Sequence, residues 1–396
     1  MDDRRLLTIN TGSSSLKAGL YPLAGGEAPD LRAEAERIGH DGSRLRLADA
    51  RGAVLLDQAG ALPDHAAAAR ALFAWLQREG LDRGLAAVGH RVVHGGGRYR
   101  APHPVTPELL DALRALVPLD PDHLPQALAA IEAAGRAYPT VPQVACFDTA
   151  FHRAMPPVAR RYALPRRLAD AGVVRYGFHG LSYEYIMREL RAEDAAGGRV
   201  IVAHLGNGAS MAAVRDGIGI ETTMGLTPTG GLVMGTRSGD LDPGVLLYLL
   251  EEQHLAPPDL SELVNKQAGL LGVSETSADM RDLLAREAAD PRAAEAVELF
   301  CYQAKKFLGA LAAVLGGLDT LVFTAGIGEH AAPVRARICA GLEFLGIALD
   351  PARNEVHAPI ISADASAVTV RVMRTDEDLM IARHTRRLIA PGTRDR

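Results

Sequence analysis

The chain has 396 residues, 48% of them hydrophobic and 23% charged, and a net charge of −5. That length favours two domains over a single core, and the acidic balance leaves no excess of Lys or Arg to hold a nucleic-acid backbone or a membrane surface. Apolar runs break off well short of a membrane span, Met1-Asp2-Asp3-Arg4-Arg5 starts no signal-peptide core, and Cys146, Cys301 and Cys339 lack metal-ligand spacing, so they read as buried thiols in a reducing cytoplasm.

Residues 7–21, LTINTGSSSLKAGLY, read as strand, turn and strand. Gly12 permits a tight turn whose N–H groups converge on an anion, with Ser13, Ser14, Ser15 and Lys17 as further donors. This is no Walker A loop, which places a glycine directly before its lysine. A serine-rich hairpin turn without a ligand explains the stretch about as well. Asp64 to Gly80 reads as a helix with Asp64 as cap and Gly80 as stop. Thr106-Pro107 starts another, residues 123–136 continue in helical style, and QVACFDTAF (143–151) reads as a buried strand ending in polar groups, with Asp148 at the strand's end.

VIVAHLGNGASMAAV (200–214) repeats the plan of the opening stretch. Placing Ser15-Leu16-Lys17-Ala18 over Ser210-Met211-Ala212-Ala213 gives an offset of 195 residues. Two related α/β domains, each turning its hairpin toward a cleft between them, fit that spacing. The Ala-rich stretch 292–316 reads as a long helix feeding the strand TLVFTA (320–325), and FTAGIGEHAAPVR (323–335) supplies a third glycine turn, after a strand and before a helix. Nucleotide phosphates favour such turns. Alternating strands and helices argue an α/β class. Gly25–Asp30, 190–197 and the tail from Gly392 are the expected poorly ordered parts.

The polar residues beside these turns are unusual. GHRVVHGGG (89–97) sets Arg91 between two histidines, FDTAFH (147–152) carries Asp148, RYGFHGLSYEY (175–185) carries His179, TPTGGLVMGTRSGDLDPG (227–244) carries Arg237, and RTDEDLMIARHT (374–385) puts three acids before a helix. Each has an ordinary reading alone: an ion pair for either arginine, a satisfied loop histidine, a helix cap at Asp148, a helix N-terminus rich in acids at Asp376, Glu377 and Asp378.

Taken together, the sequence resembles the acetate kinases, which have propionate and butyrate kinases as relatives. The resemblance runs from residue 6 to about 386 and rests on NTGSSSLK, GHRVVHGG, FDTAFH, YGFHGLSYEY, AHLGNGAS, MGTRSGDLDPG, SADMRDL and GIGEH. It implies the duplicated two-domain α/β fold of actin, Hsp70 and the sugar kinases (ribonuclease H-like), with the active site in a cleft between domains. It places an acyl-substrate domain at 1–150, a nucleotide domain at 151–378 and a last helix, about 379–396, packing back on the first. It also implies a cytoplasmic homodimer that transfers phosphoryl directly and reversibly between ATP and acetate, giving ADP and acetyl phosphate, with Mg²⁺ required and Mn²⁺ able to replace it.

By matching motif, Asn10 and Glu377 would support Mg²⁺, and Ser13, Ser15 and Lys17 would line the phosphate path. His204, Leu205, Gly206, Asn207 and Gly208 would form the second phosphate turn. Asp279, Met280 and Arg281, with Gly326, Ile327, Gly328, Glu329 and His330, would hold adenosine. Arg91 would bind the acyl carboxylate, Arg237 and His179 the transferring phosphoryl group, and Val93, His123 and Pro228 would line the acyl pocket. Asp148 holds the position of the family's acid/base residue. A carboxylic acid, with a pKa of ~4, is already ionised at neutral pH, so Asp148 is expected to orient Arg91 or Arg237 instead.

Three departures bear on the substrate. The family's PLHNP stands here as Pro121-Asp122-His123-Leu124-Pro125, with Asp122 replacing a pocket leucine; TPLEG stands as Thr227-Pro228-Thr229-Gly230-Gly231; and GIGEN ends in His330. An acid beside a bound carboxylate repels it unless paired or turned away, so propionate or a hydroxy acid is the alternative substrate. A turnover-free nucleotide-binding regulator and a sugar kinase are the readings from other classes. A pure binder has no need of two arginines and a histidine on a phosphoryl path, and a sugar kinase needs a base for a hydroxyl where this chain has a carboxylate-holding arginine.

Overall fold

From Leu6 to Thr11 every residue is buried, the mark of a strand covered on both faces. In the computed structural model, which describes residues 3–390, this strand, β1 (Arg5–Thr11), is central in its sheet. The chain forms two compact units, one running to Phe151 and resuming at Asp376, the other spanning His152–Thr375.

The first unit holds β1, β2 (Leu16–Pro22), β3 (Leu31–Glu36), β4 (Arg44–Asp49), β5 (Val54–Ala59), β6 (Leu85–Val92), β7 (His103–Pro104) and β8 (Gln143–Phe147). The sheet order is β5-β4-β3-β2-β1-β6-β8-β7. β1 to β5 form an antiparallel meander, while β6 lies parallel to both β1 and β8. Helices His65–Arg78 and Leu124–Ala137 pack on one face through Leu72, Phe73, Leu76, Ala130 and Ala134, against Leu7, Ile9 and Val88. Val88 and Gly89 point to opposite faces of β6. A Cβ on Gly89 would lie 2.1 Å from Thr385 Oγ1 and 2.7 Å from Ile381. Only glycine lets helix Glu377–Ile389 sit this close on the second face.

The second unit holds β9 (Arg199–Leu205), β10 (Ala209–Arg215), β11 (Ile218–Thr222), β12 (Thr320–Thr324) and β13 (Thr369–Val372), in the order β11-β10-β9-β12-β13. Its hairpin is antiparallel and its last two strands are parallel to β9 and to each other. The inner part of the first sheet, β3-β2-β1-β6-β8, has the same order and directions, so the topology is duplicated. Arg5 of β1 corresponds to Arg199 of β9, an offset of 194, and Leu16 of β2 to Ala209 of β10, an offset of 193. The offset of 195 read from the sequence is two residues off after the turn, because it matched small side chains on the same strand face instead of counting the shorter second turn.

Caps behave as the residues dictate. Asp64 accepts from Ala67 N–H at the head of His65–Arg78, and Thr106 accepts from Leu109 N–H at the head of Pro107–Leu116. Pro291–Leu315 buries Ala293, Ala296, Val297, Phe300, Ala304 and Leu308 at helical spacing and stops at left-handed Gly316. The strand within 143–151 runs to Phe147 and stops at Asp148, as read, where Asp148–Ala154 coils into a 3₁₀ turn. One expectation changes. Gly326 and Gly328 lie within a short helix, Ala325–His330, and not in an open turn.

Gly25–Asp30 is tied by Arg383 to Glu27 and by Arg5 to Asp30, and 190–192 finish helix Gly180–Ala192. The last helix runs Glu377–Ile389; the rest of its expected length, with the tail from Gly392, lies outside the described residues. All three cysteines are buried, and burial pushes Cys301 up to about 11 and Cys339 up to about 12. Among the described residues no helix is long and apolar enough to cross a membrane.

Candidate active site

In the first unit the charged groups gather where β1, β6 and β8 end. Arg91 lies one residue from the end of β6, Asn10 one from the end of β1, and Asp148 directly after β8. Helix Glu377–Ile389 brings Glu377 to the same place, its acids favoured at a helix N-terminus and Asp376 capping it through Leu379 N–H. These three acids therefore travel with the first unit. Asp148, fully buried, takes one edge of the guanidinium: Arg91 Nε donates at 3.1 and 3.2 Å and Nη2 at 2.7 Å. Arg91 Nη1 donates to Asn10 Oδ1 at 3.1 Å and lies 3.4 Å from Glu377. Asn10 Nδ2 donates to Glu377 at 3.2 Å.

Burial opposes the Arg91 charge, but Asp148 and Glu377 outweigh it and hold the pKa above the ordinary guanidinium value. Burial pushes the Asp148 carboxyl up; Arg91 pulls it back only in part, and Glu377 adds to the rise. The Nε/Nη2 edge goes to Asp148 and Nη1 to Asn10 and Glu377, which fixes a planar fork of the kind that suits an oxyanion. Asn10 and Glu377 are hard oxygen donors, of the kind Mg²⁺ takes one or two of alongside water and phosphate oxygens.

The turn between β1 and β2 closes through Gly12 N–H to the Ser15 carbonyl at 2.9 Å, and a Cβ on Gly12 would press on Ser15 Oγ at 2.8 Å. His65 hydrogen-bonds the Gly12 carbonyl at 2.8 Å and Ile38 N–H donates to the Ser14 carbonyl at 3.0 Å. The turn's carbonyls are thus engaged, which leaves the N–H groups of Ser13, Ser14 and Ser15 for solvent or an anion. Lys17 pairs with Asn10 across the strands and reaches Glu34 at 3.7 Å on the surface.

Val93 is buried just after β6. His123 does not stand free beside Asp122: its Nδ1 is 2.7 Å from Asp120 Oδ1. Asp120 is 2% exposed and its Oδ2 has no hydrogen-bond partner among the described residues. The buried acid of this loop is therefore Asp120, while Asp122 is half-buried. Asp120 also follows a Pro-Leu pair, Pro118-Leu119, which the sequence reading passed over.

In the second unit His179 takes a left-handed backbone, φ 57°, immediately before helix Gly180–Ala192. His152 hydrogen-bonds the preceding Phe178 carbonyl at 3.0 Å, and a Cβ at Gly177 would overlap both His152 and Thr222 at 2.6 Å. The His179 ring stacks on His204, the penultimate residue of β9, with centroids 4.1 Å apart and planes 17° from parallel. Their Nδ1 atoms meet Ser210 Oγ and Ser182 Oγ, each at 2.8 Å. The turn from Leu205 to Gly208 closes through Gly206 N–H to the Gly208 carbonyl at 3.1 Å. A Cβ on Gly208 would lie 3.3 Å from His179 Nε2 and 3.6 Å from Arg237 Nη1, so both groups reach over the same glycine. Arg237 Nη1 donates to the Pro228 carbonyl at 3.1 Å. Asn207 Oδ1 occupies the space where Gly235 would carry a Cβ, at 2.0 Å.

Asp279 caps helix Met280–Arg286 and holds Arg281, whose Nη2 donates at 2.6 Å; this bond pulls the Asp279 carboxyl down. Met280 is 2% exposed and belongs to the core, so only its backbone can face a ligand. Ile327 sits between the two helical glycines. Glu329 Oε1 accepts from the N–H groups of Ala325 and Thr375, at 2.9 and 3.3 Å, which makes it a backbone anchor. His330 is exposed, 3.8 Å from Glu329 and edge-on to His357. Sequence reasoning missed Asp120, His65, Ser182 and Ser210. Ser182, three residues after His179 at the start of a helix, was the one with a readable spacing.

The chain as a whole carries these features in a known context. The acetokinase family model matches residues 5–383. An acetate kinase of Methylocella silvestris is 47% identical over 403 residues, covering 98% of each chain. An acetate kinase of Rhizobium meliloti is 50% identical over 392 residues, 97% of this chain and 98% of that one. Among solved structures, the acetate kinase of Porphyromonas gingivalis superposes with a TM-score of 0.86 at 39% identity, covering 96% of this chain and 98% of that one. A propionate kinase of Francisella tularensis superposes at 0.90 with 34% identity, covering 96% and 99%. With the model matched almost end to end and the duplicated fold shared, this chain belongs to the acetokinase family.

Proposed function

We propose that the protein phosphorylates acetate with ATP, reversibly: ATP + CH₃COO⁻ ⇌ ADP + CH₃CO–OPO₃²⁻. The observation that carries this is Arg91, a guanidinium clamped along one edge by buried Asp148 and joined through Nη1 to Asn10 and Glu377, in a chain of the acetokinase family. A carboxylate oxygen attacks the γ-phosphorus, the bond to the ADP oxygen breaks, and no proton changes hands. What the protein must supply is alignment and neutralisation of like charges.

Arg91 holds the carboxylate, with Val93 and His123 nearby in chain and fold. Asp148 fixes the plane of Arg91. In the second unit His179 and Arg237, both over Gly208, donate to the phosphoryl oxygens, and the turn from His204 to Gly208 carries the phosphate chain. Gly326 to His330 and Asp279 to Arg281 flank the nucleoside, the latter through Arg281 and backbone groups. Mg²⁺ would be held by Asn10 and Glu377, largely through water, and when bound neutralises charge on the ATP oxygens. One transition-state arginine contributes roughly 10³–10⁵ in rate in this chemistry, which makes Arg237 a stringent control.

The working form we propose is a cytoplasmic homodimer. Three buried, unbridged cysteines support the compartment. Helix Pro243–Glu251 supports the dimer: it buries no residue and exposes Val245, Leu247 and Tyr248.

The test is acyl-phosphate formation from ATP and Mg²⁺, trapped with hydroxylamine, across formate, acetate, propionate, butyrate, lactate and glycolate, with R91A as control. An acetate optimum that vanishes in the control supports the reading. Turnover only with hydroxy acids would transfer the substrate to those acids. No turnover with any acid removes the kinase reading.

A further inference from the structure

His179 and His204 lie face to face at 4.1 Å, and each ring nitrogen Nδ1 ends on a serine hydroxyl that is itself the middle of a chain. Thr375 Oγ1 donates to Ser182 Oγ at 2.9 Å, and Ser182 Oγ meets His204 Nδ1. Tyr183 Oη meets Ser210 Oγ, and Ser210 Oγ meets His179 Nδ1. Both serines and Tyr183 are fully buried, and the two rings nearly so.

A serine hydroxyl has one proton. Ser182 accepts from Thr375, which leaves its own proton available to His204 Nδ1. Tyr183 is the stronger acid of the second pair and donates to Ser210, which passes its proton to His179 Nδ1. Each ring then carries its hydrogen on Nε2. Both Nε2 atoms face the same glycine turn: a Cβ at Gly206 would lie 3.9 Å from that of His204, and one at Gly208 3.3 Å from that of His179. Arg237 reaches over the same glycine, and two imidazolium ions stacked beside it would repel each other and it. Neutral rings stack without that penalty.

We propose that Ser210 and Ser182 are positioning residues that hold His179 and His204 as neutral Nε2–H imidazoles, giving the phosphoryl path two uncharged donors whose availability does not depend on protonating either ring. The role of the donors rests on the kinase reading above; the tautomers do not.

The experiment has two arms. Nitrogen-15 histidine spectra of the full chain at pH 8, assigned by loss of signals in H179Q and H204Q, read the tautomers without substrate. Both rings are expected as Nε2–H. An Nδ1–H tautomer or an imidazolium in either ring overturns the proposal. In the second arm S210A and S182A lose about tenfold in kcat at pH 8, less than the ~10²–10³ for removing such a donor outright. KM for ATP and acetate stays within about twofold, and S210T, which keeps the hydroxyl, recovers most of the rate. Unchanged kcat in both alanine variants, with melting as in the parent, overturns the positioning role. If the parent chain turns over no acid, the kinase reading falls and the spectra still decide the tautomers; if an alanine variant fails to fold, the parent spectra remain decisive.

Discussion

Asp148 has both oxygens engaged by Arg91, while the substrate acid arrives ionised. On the proposed reading its service is to the arginine. D148N keeps the shape but weakens the clamp from charge-assisted to neutral hydrogen bonds, and kcat/KM for acetate should fall about 10²-fold. R91K should do no better than R91A, because an ammonium offers no planar end. Steady-state kinetics decide this; a D148N enzyme with parental constants would mean the clamp is dispensable. His90 and His152 make a second residue-scale case. Burial pushes both down to about 4, so they are neutral when folded, whereas the unfolded chain protonates them below ~6.5. Stability is thus fully present above ~6.5 and lost as pH falls toward 4, by up to about 3 kcal/mol for each ring. Urea midpoints measured against pH should show that acid limb, and H90N should flatten it by about one proton.

At the scale of elements, close approach matters more than any single bond. A side chain on Gly89 meets Thr385 and Ile381 on the helix that carries Glu377. G89A should cost about 1–3 kcal/mol in thermal unfolding and lower activity together with stability; adding T385A should return part of both. The caps of this fold were legible in the sequence, because Asp64 and Thr106 each act on an N–H group three residues away. So were the two glycine hairpins. So was the end of the strand in 143–151, where the polar pair Asp148-Thr149 breaks the apolar run; the 3₁₀ turn that follows was not. The Arg91 cluster could be named but not assembled, since Asn10, Arg91, Asp148 and Glu377 are joined by sheet order and not by spacing. Ser210 was visible only as a small residue in a strand, and Asp120 was overlooked for its neighbour Asp122. Partners of that kind are set by which strand lies alongside, which a single sequence does not display.

Across the whole molecule, duplication sets the frame and divergence the chemistry. Ile9 pairs with His90, so Arg91 stands level with Asn10; in the second sheet His204 pairs with Thr324. The position of Arg91 is thus held there by buried Thr324, and that of Asp148, two residues beyond the level of its neighbour strand, by Thr375. One copy keeps an ion pair suited to a carboxylate; the other keeps hydroxyls, one of which begins the chain to His204. At the same scale, L247K with Y248K should shift sedimentation from dimer to monomer, while a monomeric parent would remove the proposed assembly. The buried cysteines carry a practical corollary. With Cys146, Cys301 and Cys339 all covered and two of them far from thiolate at neutral pH, a thiol-reactive dye should titrate no groups in the native chain and three after denaturation. A cysteine placed at Val158, 83% exposed, would then be the sole reactive handle, and the parent sequence could serve as the blank for fluorescence or spin-label distance work without first removing any native thiol.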